Sequence, residues 1–470
     1  MSALVDFGAK ALRSIDLPRL FRQLFGRIET KDERRRRLHA ILQGVVTSLG
    51  NRVIGVVVSF VSVPLTIGYL GPERYGAWVT IGSLLAWLGL SDLGLGNGFS
   101  NAINTALGQG RTDLARTHVS NAIFLLSLPA LVVALAFYFL WPAIDWSNFF
   151  GLASAQAKSE IGPATALALA IVLLQIPLSM TGRIYMALQE GRIVNYWNAA
   201  GNLLSLLALL VVTQTQGGLP WLVVAVSGMS LLLSCANTAW LYLVHKPQLA
   251  PAFRYVDFRE MRSVAHVGGQ FCLIQIMALV TFQTDNFFVG HFLGAANVPQ
   301  YSLTYTLFNY TSLPQNIFFA YLWTAYNEAI ARKDIAWVKK AFRLNLIGGG
   351  LFAIVASASL AYVAKPFLAW WGGPAAVPST ELVAWMAAWA VINPYCNALA
   401  CLLAAASHLK AQIRYSALAS LSNIVLSYIL VQHWGIQGAI AATVISYLVF
   451  VCTPVYRDVN SLLQELDNAV

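Results

Sequence analysis

The chain has 470 residues, of which 58% are hydrophobic and only 11% are charged. Soluble globular proteins carry about 25% charged residues, so this sequence has too little polar surface to coat a water-soluble body of its size. A soluble enzyme and a secreted disulfide scaffold are therefore excluded. Apolar segments without a charged residue recur along the chain and, with weakly polar flanks, reach the ~20 residues that a membrane-spanning helix needs. The composition predicts an all-α polytopic membrane protein.

The net charge of +10 results from 30 Lys and Arg against 20 Asp and Glu. Ten of the basic residues lie in the first 37 positions and end in the run Arg34–Arg37. Basic segments beside membrane spans are typical of cytoplasmic regions and of attraction to anionic lipid. We therefore expect these basic residues to interact with membrane lipids and not with nucleic acid.

Before the first span, apolar residues recur with helical spacing from Leu17 to Ile28, and arginines occupy the other faces. Such a pattern predicts an amphipathic helix that lies along the inner membrane surface. A mobile basic tail is the alternative.

About twelve spans are predicted from the apolar segments. They divide into two sets of six, with a short polar connection between the sets and a polar tail after them. The predicted regions are a cytoplasmic basic amphipathic segment at 1–40, a six-helix bundle at 41–245, a cytoplasmic linker at 246–261, a second six-helix bundle at 262–456 and a cytoplasmic tail at 457–470.

The distribution of Lys and Arg predicts the orientation. If the N-terminus is cytoplasmic, the outer loops contain only Arg74, Lys158 and Lys365. Nearly all other basic residues then fall in the cytoplasmic tails and loops, as the positive-inside rule requires. We expect a multi-pass protein of the bacterial inner membrane with both termini in the cytoplasm.

The second half of the sequence repeats features of the first half about 220 residues later. For example, Pro177 corresponds to Pro394, and Gly218 corresponds to Gly438. An even number of spans in each half gives both halves the same orientation. The repeat therefore predicts a pseudo-two-fold axis along the membrane normal and a site between the two bundles, as in transporters built from parallel repeats.

Three stretches of the sequence carry a family resemblance. Residues 65–78 (LTIGYLGPERYGAW), 90–98 (LSDLGLGNG) and 284–290 (TDNFFVG) resemble the polysaccharide transporters of the multidrug/oligosaccharidyl-lipid/polysaccharide exporter superfamily. The resemblance extends over residues 41–456. It implies two six-helix bundles around a central cavity.

The same resemblance implies a function. It predicts a flippase that moves polyprenyl-pyrophosphate-linked oligosaccharide repeat units from the inner to the outer leaflet by alternating access. The product would be used for surface polysaccharide synthesis, as O-antigen or exopolysaccharide. The implied partners are the polyprenyl-pyrophosphate glycan, a polysaccharide polymerase and the chain-length machinery.

A polar stripe in the first span contains Ser48, Arg52 and Ser59 on one helical face. A charged side chain at mid-membrane costs about 2.5–3.5 kcal/mol on insertion scales. The presence of Arg52 within a span therefore indicates a specific role for its charge. A guanidinium binds phosphate oxygens bidentately, and the cavity arginines of lipid II flippases, which this chain resembles in fold, imply the same role. We predict that Arg52 binds the pyrophosphate; an arginine that reaches the inner headgroups is the alternative.

A second polar stripe in the eighth span contains Tyr301, Tyr305, Asn309, Ser312 and Asn316. We predict that Tyr305, Asn309 and Asn316 of this stripe also line the substrate site. Asp285, in the outer half of the preceding span, has several open roles. It could pair with a basic group, bind a coupling proton or sodium ion, contact sugar hydroxyls or serve helix packing. Asp92, beside three glycines near the inner end of the second span, has a coupling or a structural role.

No nucleotide-binding loop, metal cluster or catalytic triad is recognisable in the sequence. We therefore predict a transporter without a cofactor, not an enzyme. Its energy source would be an ion gradient, of protons or sodium, the membrane potential or the downhill fate of the product. The first alternative is a drug/cation antiporter of the same superfamily, which would need a smaller and more acidic cavity. The second is a membrane glycosyltransferase or polymerase, which the short outer loops disfavour.

Overall fold

A computed structural model describes residues 33–89, 95–188, 190–261, 283–315, 322, 326, 329–330, 333–406 and 409–468. The described residues form helices joined by short connections, and no strand occurs among them. The predicted amphipathic helix at 17–28 lies outside the described residues, as do Asp92 and Asn316.

The first lobe contains nine α-helices. Helix ends follow local signals, for example the Ser154 hydroxyl, which accepts a hydrogen bond from the amide of Ala157 and so caps the helix that begins at residue 155. The helices are α1 (Glu33–Gly89), α2 (Leu95–Gly108), α3 (Thr112–Leu140), α4 (Trp146–Phe149), α5 (Ala155–Leu178), α6 (Met180–Ala187), α7 (Gly191–Val212), α8 (Gly218–Val223) and α9 (Met229–Trp240).

The second lobe begins with a helical segment at residues 283–293. Ser379 and Asp334 cap two of its long helices by accepting hydrogen bonds from main-chain amides. The named helices are α10 (Val298–Asn309), α11 (Ile335–Gly372), α12 (Thr380–Ala405), α13 (Leu409–Trp434), α14 (Gln437–Tyr447) and α15 (Thr453–Asn468).

Nine helices of the described part are long and apolar enough to cross a membrane. One of them, Val46–Leu85, is interrupted at Gly71, whose φ of 75° lies in the left-handed region that glycine adopts without strain. Its two arms correspond to the first two predicted spans. The predicted spans at 262–290 and 298–325 lie partly outside the described residues. The prediction of an all-α polytopic membrane protein is confirmed.

The two ends of the molecule differ in how the lobes pack. We call the end that carries Gly71, Gly151 and Gly294 the distal end, and the end that carries Arg111 and Lys333 the basic end. One apolar core at the distal end contains residues of both lobes. Toward the basic end each lobe has its own separate core. The lobes therefore join at the distal end and diverge toward the basic end.

The segments outside the two bundles also pack against them. The linker contacts the first lobe, where Asn121 Nδ2 donates to the Asp257 carbonyl oxygen at 3.0 Å. The predicted tail from residue 457 continues helix α15 to Asn468, and Val459 and Leu462 are buried in the core of the second lobe. The amphipathic pattern of α15 explains this packing, because its apolar residues share one face.

Candidate functional site

A cavity of about 730 Å³ lies between the two lobes. The first arm of α1 and the start of its second arm form one wall, and α10, α12 and the segment 283–293 form the other. Its polar lining consists of hydroxyl and amide side chains, and the described lining includes no charged residue. The polar lining residues are Ser59, Tyr75, Gln283, Asn286, Tyr301, Ser302, Tyr305, Thr306, Asn309, Asn393, Asn397 and Tyr447.

Helical spacing brings these side chains to the cavity. On α10, Tyr301, Tyr305 and Asn309 are four residues apart and therefore lie on one face, and all three line the cavity. The rings of Tyr301 and Tyr305 are stacked, with centroids 6.2 Å apart. On α12, Asn393 and Asn397 have the same spacing, and Asn397 Nδ2 donates to Asn393 Oδ1 at 3.3 Å. The cavity thus presents two rows of polar groups.

Ser59 lines the cavity, and Arg52 lies two helical turns away on the same face of α1. The rise from Arg52 to Ser59 is roughly 10 Å, directed away from the basic end. Arg52 is exposed and forms no ion pair with another described residue. Val53 and Val57, 63% and 54% exposed, lie on the opposite, apolar side of the helix. Arg52 therefore lies on the helical face that carries Ser59, nearer to the basic end, and does not itself line the cavity.

Ser48, the remaining member of the first stripe, is half-buried and does not line the central cavity. The neighbouring side of α1 packs on α7: a Cβ at Gly55 would lie 3.8 Å from Asn202 Nδ2. A separate polar cavity of about 270 Å³ occurs there, lined by Asn51, Asn202 and Asn237 among others. The sequence analysis did not predict this second cavity.

Asp285 lies behind the cavity wall and does not line it. It is 3% exposed, and its Oδ2 accepts hydrogen bonds from the Tyr301 hydroxyl and, at 3.3 Å, from the Thr443 hydroxyl. Asn423 Nδ2 donates to Thr443 Oγ1 at 2.9 Å. Asp285 Oδ1, Asn423 Oδ1 and Ser427 Oγ are buried without a hydrogen-bond partner in the described part of the chain.

This cluster narrows the roles that the sequence left open for Asp285. Among the described residues no Lys, Arg or His forms an ion pair with it. A buried carboxylate without a cationic partner is costly. Several neutral oxygens and one carboxylate are, however, the groups that hold a proton or a hard monovalent cation.

The lobes close over the cavity at the distal end. Ala295 donates its amide hydrogen to the Gly151 carbonyl oxygen at 3.3 Å. A Cβ at Gly76 would overlap the Ala295 carbonyl, and one at Gly151 would overlap the Gly290 carbonyl. Only glycine permits such close approach of two backbones. The structure is therefore closed distally, and the cavity faces the basic end, where the lobes have separate cores.

The polar stripes predicted from the sequence contain four of the cavity residues, Ser59, Tyr301, Tyr305 and Asn309. They do not include Asn393 and Asn397, although two amides four residues apart beside a proline in an apolar helix are a detectable signal. The described residues contain no group of three or more His, Cys, Asp or Glu that could hold a metal ion. The arrangement suits reversible binding of a polar molecule.

Two lobes of membrane-spanning helices around a polar cavity are the architecture of a multi-pass membrane transporter. No protein-family model matches the chain. A curated protein of Salmonella typhi, which bears the provisional name O-antigen transporter, is 22% identical over 413 residues, which cover 86% of this chain and 93% of that protein. The resemblance to polysaccharide transporters is thereby confirmed.

Solved structures show the same fold. An inward-facing multidrug resistance transporter of the MATE family, from the MOP superfamily, gives a TM-score of 0.74 at 14% identity, covering 90% of this chain and 99% of that one. An outward-facing MATE transporter gives 0.65, also at 14% identity, with 95% and 98% covered.

Proposed function

We propose that the protein flips a polyprenyl-pyrophosphate-linked oligosaccharide from the inner to the outer leaflet of the bacterial inner membrane, for surface polysaccharide synthesis. The observation that carries this proposal is the uncharged, amide- and hydroxyl-rich lining of the central cavity in the described residues. Sugar hydroxyls donate and accept hydrogen bonds, and so do amides and hydroxyls. Tyr301 and Tyr305 add apolar ring faces that suit the C–H faces of a sugar.

The same lining argues against the drug/cation antiporter. A carboxylate in the cavity would neutralise an organic cation, and the described lining contains none. The carboxylate nearest to the described lining is Asp285, and its Oδ2 is engaged by Tyr301 and Thr443 behind the wall. The similarity to proteins named O-antigen transporters supports the glycan as cargo.

Transport would follow from the two ways in which the lobes can meet. In the distally closed state the head group enters the cavity from the basic end, while the lipid tail remains in the bilayer. Arg52, on the Ser59 face of α1 and nearer to the basic end, would bind the pyrophosphate through its planar guanidinium. Rocking of one lobe against the other would then open the distal end and release the head group in the other leaflet.

The cluster around Asp285 is the candidate coupling site. A single carboxylate is neutralised by one proton or one monovalent cation such as Na⁺, whereas a divalent cation would leave an uncompensated positive charge in the protein interior. Tyr301 connects the cluster to the cavity, since its ring lines the cavity and its hydroxyl donates to Asp285. Ion binding at Asp285 would thus be transmitted to the wall that contacts the glycan.

The experiment is a leaflet assay with purified protein in proteoliposomes and a fluorescent lipid-linked oligosaccharide. Wild-type protein should move the glycan, and Asn397→Leu should lower the rate at least about tenfold, because it leaves two or more hydrogen bonds to sugar unmade. Asn148→Leu, an exposed amide in the distal connection, is the matched control and should transport normally. Unchanged transport in Asn397→Leu, or transport of an organic cation in place of the glycan, would contradict the proposal.

A further inference from the structure

A lateral groove lies in the second lobe, separate from the central cavity. Its volume is about 740 Å³, and α11, α12 and the residues after α10 form its walls. On α11 the lining residues Trp337, Ala341, Leu344, Gly348 and Phe352 recur every three or four positions and lie on one face. The rise from Trp337 to Phe352 is roughly 22 Å, a large part of the ~30 Å hydrocarbon thickness of a bilayer.

Three consecutive glycines, Gly348–Gly350, lie in the middle of α11. Glycine weakens a helix interior, and in membrane helices small residues usually let another helix approach closely. No such approach occurs here, because a Cβ at Gly348 or Gly350 would meet no atom within 4 Å in the described part of the protein. Gly348 lines the groove and Gly350 does not. Among the described residues, the absent side chain at Gly348 therefore leaves open space on the groove side of α11.

The groove is mainly apolar and has one charged end. Leu344, Phe352 and Ala353 provide apolar surface, and Lys340 is the single charged residue in its described lining. Lys340 is exposed and lies one turn from Trp337, near the start of α11. Trp and Lys are the residues that anchor helices at the membrane interface. The charge thus lies at headgroup level, and the apolar part extends into the hydrocarbon region.

The groove and the central cavity share a wall. Asn309 lines the cavity, whereas Thr311 and Gln315, two and six residues further along, line the groove. Gln315 Nε2 donates to the Pro394 carbonyl oxygen at 2.7 Å and so fastens this wall to α12. A lipid held in the groove therefore lies directly beside the cavity that would take its head group.

We propose that this groove binds the isoprenoid tail of the lipid-linked glycan, with Lys340 at its pyrophosphate, before the head group enters the central cavity. The inference rests on the proposed function, which supplies the isoprenoid carrier. A methyl-branched chain is thicker than a straight acyl chain, and the space at Gly348 accommodates the branches. Lys340 provides the complementary charge for the phosphate groups at the interface.

The test uses the full-length protein in lipid nanodiscs and a sugar-free polyprenyl pyrophosphate with a photoreactive group in its tail. Gly348→Leu fills the groove and should reduce crosslinking to α11 at least tenfold. Gly350→Leu places the same side chain in the same helix outside the groove and should leave crosslinking unchanged. Lys340→Gln should weaken retention of the pyrophosphate about tenfold but leave retention of the uncharged polyprenol unchanged.

A second variant, Leu344→Trp, narrows the groove without altering a glycine and should show the same loss as Gly348→Leu. Equal crosslinking of these variants and the wild type would overturn the groove assignment. The assignment would also be overturned if phosphatidylglycerol competed with the probe as strongly as unlabelled polyprenyl pyrophosphate does. If the wild type binds the probe as expected but moves no lipid-linked glycan in proteoliposomes, the groove assignment holds and the proposed function fails.

Discussion

Trp371 of the second lobe donates its indole N–H to the main-chain carbonyl oxygen of Phe60 in the first lobe, at 2.8 Å. The two rings are stacked, with centroids 5.6 Å apart. Trp371 is 2% exposed, so water does not compete for the bond. Phe60 lies on the distal side of Ser59, and separation of the lobes at that end must break this contact.

Trp371→Phe should therefore favour distal opening. The substitution removes a net stabilisation of about 1 kcal/mol, which shifts the equilibrium between the closed and open states roughly fivefold. To measure the shift, Val79 in the cavity wall is replaced by cysteine in a cysteine-free background. The readout is the rate at which this cysteine reacts with an impermeant maleimide added from the distal side. Trp370→Phe, at a neighbouring ring that is 70% exposed, is the control. Equal rates in both variants would contradict the prediction.

Gly76→Val should prevent distal closure. Its Cβ would overlap the Ala295 carbonyl, which is backbone of the other lobe and cannot rotate away. Gly82→Val serves as the control in the same helix arm, because a Cβ at Gly82 meets nothing within 4 Å in the described structure. We expect Gly76→Val to be expressed, to react rapidly at the Val79 cysteine from the distal side and to lose transport. Normal transport by Gly76→Val would show that closure does not require this contact.

Arg52→Ala should reduce transport of the lipid-linked glycan at least about tenfold, since a charged hydrogen bond to phosphate is lost. Arg52→Lys should restore part of the rate, because an ammonium keeps the charge but not the bidentate fork. Expression should stay near normal, as a charge is removed from the membrane. A fully active Arg52→Ala protein would mean that Arg52 only reaches the headgroups.

Asp285→Asn should abolish the dependence of transport on the ion gradient. The amide keeps the size of the carboxylate but removes its charge, so neither a proton nor Na⁺ is bound. Tyr301→Phe retains the carboxylate and removes the hydroxyl that donates to it, so ion dependence should persist with altered affinity. Transport is measured under imposed proton and sodium gradients in separate experiments. Gradient-driven transport by Asp285→Asn at the wild-type rate would exclude Asp285 as the coupling site.

The sequence predicted the elements of the site that depend on local periodicity. Tyr305 and Asn309 share a face because a helix repeats every 3.6 residues. Their polarity identifies that face as the one in contact with water or a polar ligand. Ser59 was found in the same way, whereas the role of Arg52 stays a prediction. The all-α fold and the two lobes followed from hydropathy and the internal repeat.

Features set by the packing of separate helices could not be predicted. Asp285 was considered for contact with sugar, yet the rotation of its helix turns it behind Tyr301 and toward Thr443. Tyr75 and Gln283 belong to no polar stripe and reach the cavity only because of where their helices cross. Ser48 shares the stripe of Ser59 but lies beyond the cavity, since the helix extends further than the cavity does.

The apolar core that both lobes share at the distal end makes the transport cycle sensitive to temperature. Opening there separates residues such as Leu70 and Tyr75 from Val298 and exposes apolar surface to water. Such exposure carries a positive heat-capacity change, and the hydrophobic attraction that opposes it weakens on cooling. If the lobes rock as proposed, the balance between a closed and an open distal end is a curved function of temperature.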